Sequence, residues 1–367
     1  MANANIETAR KALGQLFIIG FNGPELSDET SAFISQANIG GVILFSQNYE
    51  SPAQVAELSN QIQEARGESP LWISVDHEGG RVQRFKKGFT KIPEAAAIAA
   101  LDSPKIAFEI AEVMGRELRA VGVNLNYSPV TDINTNPKNP IIGARAFGST
   151  EDMVSKISSA FVRGQVVQGV QACVKHFPGH GDTSTDSHYA LPKVDTSLEV
   201  LREREFKPFT KAFKGHCNFV MTAHILCTKI DPHLPATLSS KILRDILRNE
   251  LRYTRIIISD DMEMKAITDH YGAEEAPRMA LEAGCDMLIY RTESGARHAY
   301  EAVLKALESG KLSPQIILEA HARIAEVKKE HLLPYNPVVV AEVAQKVGIP
   351  KHHEIVNKVL KNNEAST

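Results

Sequence analysis

The sequence contains no Cys-x-x-Cys pair. Its four cysteines, Cys173, Cys217, Cys227 and Cys285, are scattered, so neither a zinc ribbon nor a disulfide framework is expected. No run of Lys and Arg tracks a phosphate backbone, and 41 basic residues stand against 44 acidic ones, a balance that argues against nucleic acid as a partner. Apolar runs long enough to span a bilayer, about 18 residues, are also missing. The opening "MANANIETARKALGQLFIIGF" lacks the basic start, the uninterrupted apolar stretch and the small-residue cleavage site of a secretory signal. A cytoplasmic protein without a membrane partner is the expectation. No Gly-x-Gly-x-x-Gly follows the first strand-like run, which removes the main support for an open doubly wound sheet.

What is present is material for a large core: 367 residues, 43% hydrophobic and 23% charged. Eight short apolar or β-branched runs recur, "LFIIGF" from Leu16, "GGVILF" from Gly40, "LWISVD" from Leu71, "NLNYSPV" from Asn124, "ACVKHF" from Ala172, "FVMTAH" from Phe219, "RIIISDD" from Arg255 and "DMLIYR" from Asp286. Helical periodicity and start signals separate them. After Pro104, Ile106, Ile110, Val113, Leu118 and Val121 fall near one face. Ser149 or Thr150 can cap a helix with Glu151 and Asp152 in its first turn, and Ser313 precedes Pro314 at a first helical position. Strand and helix alternating eight times predict an α/β fold, a (β/α)8 TIM barrel. The expected division is a catalytic barrel over residues 1–333 and a helical C-terminal extension over 334–367. The excess length over a minimal barrel goes to an N-terminal helix and to long loops after the third, fourth and fifth strands.

In such a barrel the loops at the C-terminal ends of the strands converge on one mouth. The third run ends at Asp76, the fourth leads to Asp132, the fifth ends at Lys175 and His176, the sixth at His224, and the seventh at Asp260 and Asp261. Any one of these could be a cap or a solvated loop residue. Five strand ends bearing polar groups together suggest a site.

The stretch "KHFPGHGDTSTDSH", residues 175–188, concentrates three histidines, two aspartates and a lysine. His176 and His180 are four apart, the spacing of two metal ligands on a helix, but Pro178 and Gly179 intervene, so no metal is expected. Glycoside chemistry is the other reading. A retaining glycosidase needs a carboxylate nucleophile and a proton donor on opposite sides of the anomeric carbon. Asp260, ending an apolar strand, suits the first role. His188, with a free pKa of about 6.5 and Asp186 two residues before it, suits the second, although by itself it reads as a surface loop histidine.

"KHFPGHGDTSTDSH", "VDHEGGRVQRF", "GARAFG" and "SDDMEM", in this order, resemble glycoside hydrolase family 3 and, within it, the single-domain bacterial β-N-acetylglucosaminidases of peptidoglycan recycling. The resemblance runs over roughly residues 10–330. It implies Asp260 as nucleophile, His188 as acid/base on a mobile loop and Asp186 as its partner. Asp76, Arg84, Arg145, Lys175 and His176 then hydrogen-bond the hydroxyls of the N-acetylglucosamine ring, as charged groups at fixed strand ends can. His77 and Ala144 stand where the family often has Gln and Asp. The implied activity is exo-acting release of N-acetylglucosamine from muropeptides, a small carbohydrate substrate, with no cofactor. A metal-dependent hydrolase on the same barrel, a phosphorolytic N-acetylglucosaminidase and an inert sugar-binding sensor are the alternatives. Because successive strand residues point to opposite faces, one of Asp260 and Asp261 is expected at the mouth and the other on the barrel wall.

Overall fold

Strands buried on both faces must be covered by helices on one side and by each other's side chains on the other. The eight apolar runs find that solution in a closed parallel barrel, β1 (Phe17–Ile19), β2 (Gly41–Leu44), β3 (Trp72–Val75), β4 (Leu125–Asn126), β5 (Gln171–Phe177), β6 (Phe219–Thr222), β7 (Ile256–Asp261) and β8 (Met287–Tyr290), each paired with its sequence neighbours and β8 with β1. The computed structural model describes residues 2–183 and 191–364. Trp72 on β3 and Phe219 on β6 meet edge to face at 5.0 Å although two strands separate them around the wall, so their contact crosses the lumen and fills it. Gly41 makes room for this: a Cβ there would lie 2.7 Å from the carbonyl oxygen of Trp72.

The helices follow in chain order: α1 (Ala2–Ala12) before the barrel, then α2 (Asp28–Gln36), α3 (Pro52–Glu64), α4 (Pro104–Ala120), α5 (Glu151–Val166), α6 (Phe206–Lys214), the π-helical α7 (Lys241–Glu250), α8 (Glu275–Ala283) and α9 (Glu293–Glu308), one after each strand. The helix expected after Pro104 and the one expected to be capped by Ser149 or Thr150 both form. Ser103 caps α4 ahead of Pro104 and Thr150 caps α5, each hydroxyl accepting a hydrogen bond from the backbone N–H three residues on. α10 (Pro314–His331), capped by Ser313, packs against α1.

Beyond α10 the chain does not simply trail over the surface. α11 (Pro350–Glu364), within the helical extension expected over 334–367, lies against α4, with Val356, Val359 and His352 buried. No helix among the described residues is long and apolar enough to cross a membrane.

Candidate active site

The mouth of the barrel opens on a cavity of about 460 Å³ lined by Asp76 and Arg84 after β3, Tyr127 after β4, Met221 on β6, Asp260 and Asp261 of β7, and Arg291 after β8, with Asn22, Phe45 and Gln47 on the side of β1 and β2. That volume is in the range of small-ligand sites.

The two adjacent aspartates occupy this cavity together. Regular alternation would send them to opposite faces, but the pairing of β7 with β8 shifts register between Ile258 and Asp261, and with that irregularity both residues line the cavity. The expected split between mouth and wall is thus corrected by the structure. Their environments differ sharply. Burial opposes the charge on Asp260, but His224, His176, Lys175 and the Asp261 N–H, which donates to Asp260 Oδ1 at 2.8 Å, outweigh it and hold the carboxyl below its usual range. Asp261 is raised to about 6 by burial, despite the Arg291 Nε at 2.5 Å from its Oδ2. His224 sets its Nε2 at 3.0 Å from the Asp261 carbonyl oxygen, and its Nδ1 at 2.8 Å from Thr237 Oγ1.

Beside Asp260 lies a buried ion network. Lys175 Nζ reaches Asp76 Oδ1 at 2.8 Å and Glu78 Oε1 at 2.7 Å. Arg145 forks onto the same Glu78, Nε to Oε2 at 2.8 Å and Nη2 to Oε1 at 2.7 Å. Burial would raise the Glu78 pKa, but Arg145 and Lys175 together push it well below the normal carboxylate range. Arg84 Nη2 stands 3.5 Å from Asp76 Oδ2. Asp132, fully buried, gathers the start of the polar stretch: it accepts from the backbone N–H of His176 and of His180 (2.7 Å) and sits 2.6 Å from His176 Nδ1. Residues 178–183, directly after β5, are not helical. His180 Nδ1 meets Thr183 Oγ1 at 2.7 Å, and burial, with His176 nearby, lowers its pKa to about 4, so it is neutral at physiological pH.

Of the residues singled out from sequence, Asp76, Arg84 and Asp260 share the cavity wall. Lys175, His176 and Arg145 stand behind it: Lys175 and His176 are buried, and Arg145 is committed to Glu78. Asp186 and His188 lie outside the described residues, and with them the expected acid/base pair. Three residues were passed over. Glu78 was visible as a carboxylate two positions after Asp76, but only the fold shows that it joins Lys175 to Arg145. Arg291 and Asn22 carry no motif and reach the site because β8 and β1 close the barrel.

The chain matches the family model described as the glycosyl hydrolase family 3 N-terminal domain over residues 8–327. A protein of Idiomarina loihiensis called beta-hexosaminidase is 37% identical over 298 residues, covering 79% of this chain and 88% of that protein. Beta-hexosaminidase A of Pseudoalteromonas piscicida is 33% identical over 357 residues; the match takes in 90% of this chain and 59% of that longer protein. Among solved structures, a glycoside hydrolase family 3 beta-N-acetylglucosaminidase from a Paenibacillus species superimposes with a TM-score of 0.89 at 39% identity, over 95% of this chain and 68% of the other.

Proposed function

The chain belongs to glycoside hydrolase family 3, and from that membership we propose that it is a retaining exo-β-N-acetylglucosaminidase that releases terminal N-acetylglucosamine from peptidoglycan-derived muropeptides. The observation that carries this reading is the divergence of the two cavity aspartates: Asp260 is held ionised while its neighbour is pushed up to about 6. A buried carboxylate held ionised at the end of a barrel strand is fit to attack the anomeric carbon, and the raised neighbour leaves Asp260 as the nucleophile while proton transfer falls to His188.

In this mechanism Asp260 attacks the anomeric carbon and forms a glycosyl ester as the bond to the leaving oxygen breaks, and His188 gives that oxygen its proton. Asp186 orients the imidazole and favours its charged form. His188 then takes a proton from water, which attacks the same carbon, releases Asp260 and restores the original configuration. Asp76 and Arg84 meet ring hydroxyls from the cavity wall. Lys175 keeps one ammonium proton beyond those given to Asp76 and Glu78, and His176 keeps Nε2. Arg145 acts by fixing Glu78. No cofactor enters any step. The four buried, unpaired cysteines favour a reducing compartment, the cytoplasm. The barrel of residues 1–333 carries all of this chemistry, with 334–367 as its extension.

An aryl N-acetyl-β-glucosaminide, offered beside the corresponding glucoside and galactosaminide, tests the proposal. Preferential hydrolysis of the first is expected; equal or absent turnover would overturn it.

A further inference from the structure

The segment beyond residue 327, outside the span of the family model, ends on a buried carboxylate that also holds the loop bearing Arg84. Glu117 of α4, 2% exposed, accepts from the Thr90 N–H (2.9 Å) and hydroxyl (2.6 Å) on the loop side. From the tail it accepts the Gly348 N–H at 2.9 Å, and its Oε1 lies 2.7 Å from His352 Nδ1. The tail is seated directly on the loop: a Cβ at Gly348, whose φ is +62°, would come within 2.1 Å of the Gly88 carbonyl oxygen.

Within the loop the connection runs on to the cavity. Gln83 Nε2 donates to the Thr90 and Phe85 carbonyls at 3.0 and 3.1 Å, and its Oε1 accepts from the Ile92 N–H at 2.9 Å. The next residue is Arg84, on the cavity wall and 3.5 Å from Asp76. The Arg84 Nε is buried with no hydrogen-bond partner, which leaves the guanidinium with a long contact to Asp76 and the Phe45 ring 6.0 Å away, so a shift of the backbone that carries it would shift it too.

We infer that Glu117 and His352 are positioning residues for sugar binding: the C-terminal segment clasps the loop after β3 and so fixes Arg84 against Asp76. This rests on the functional reading above, in which Arg84 meets the ring. His352 touches neither the cavity nor Asp260. It acts through Glu117, Thr90 and Gln83, and its loss leaves a buried carboxylate short of a donor.

The test uses the full chain. His352→Ala should raise the KM for an aryl N-acetyl-β-glucosaminide about five- to tenfold with kcat within about twofold, the pattern of lost uniform binding. His352→Asn, which keeps a donor toward Glu117, should restore most of it. Thr90→Val, which removes the hydroxyl hydrogen bond to Glu117 and leaves the N–H one, weakens the same link from the loop side and should also raise KM. In an Arg84→Ala background His352→Ala should cost nothing more, because coupled sites are not additive. An unchanged KM in both His352→Ala and Thr90→Val, or an equal KM penalty with and without Arg84, overturns the clasp. Hydrogen exchange at residues 84–91 gives a readout free of activity: it should rise in His352→Ala, and unaltered protection also overturns the clasp. A wild-type enzyme that fails to hydrolyse the substrate would sink the functional reading alone, leaving the exchange result to decide the clasp.

Discussion

Asp260 and Asp261 are neighbours with opposite electrostatics, and their substitution should separate them. Asp260→Ala is expected to lower kcat on the order of 10⁴-fold or more, as loss of a nucleophile does. Asp261→Asn should still form the glycosyl ester on Asp260; in the unsubstituted enzyme a fluorinated sugar should label Asp260, and label on Asp261 would reverse the assignment. Because the folded-state pKa of Asp260 is depressed, its protonation should cut kcat/KM only below about pH 4, the ordinary carboxylate range. His188→Ala tests the proton donor. General acid catalysis contributes about 10²–10⁴-fold when the leaving oxygen is basic, so a natural disaccharide should suffer far more than a nitrophenyl glycoside, and azide should partly rescue the accumulated intermediate. Equal losses on both substrates would make His188 a binding residue.

At the scale of elements, the loop after β5 is anchored where it leaves the barrel. Asp182 accepts from Thr135, from Thr196 at 3.0 Å and from Arg204, and Arg204 Nε donates to Glu205 Oε1 at 2.7 Å. Glu205 is raised to about 7 by burial, against the pull of Arg204, so it sits near the edge of ionisation. Arg204→Ala removes the cation from both carboxylates and frees the stem of the stretch that leads to Asp186 and His188. Turnover of a natural disaccharide should fall about tenfold, in kcat more than in KM, because a misplaced acid loses transition-state contacts. A change in KM alone would confine the stem to substrate binding. The strands and several helices were legible because Pro104, the pair Ser149 and Thr150, and Ser313 announce starts and the apolar runs are short; the capping hydroxyl of Ser103 was not read from sequence. The register shift in β7 was not, since nothing in "IIISDD" signals that its pairing slips.

For the molecule as a whole, a buried titratable group far from the cavity couples stability to pH. At the end away from the cavity, Lys328 of α10 is buried and donates to Gln15 Oε1 at 2.8 Å, the Gly40 carbonyl at 2.9 Å and Ser69 Oγ at 3.4 Å, a set without a carboxylate. Burial lowers its pKa to about 7. An unfolded lysine titrates near about 10.4, so between those two values the unfolded chain binds more protons than the folded one, and stability should rise with pH across that window. Lys328→Met should remove this rise. Urea unfolding of both proteins at about pH 7 and about pH 9.5 checks it, and parallel pH dependences would show that Lys328 stays charged in the fold.

The sequence by itself determined the barrel, the order of its strands, the caps of its helices and the strand ends where Asp76, Lys175, His176 and Asp260 gather, because these follow from periodicity, turn chemistry and local motifs. Only the tertiary structure decided which groups touch. It placed Asp261 beside Asp260 where the strand pairing slips and linked Lys175 to Arg145 through Glu78. It also brought His352 to Glu117 from 235 positions away. The reason is physical: local propensities act within a few residues, whereas burying a charge requires a partner, and a closed barrel draws those partners from anywhere in the chain.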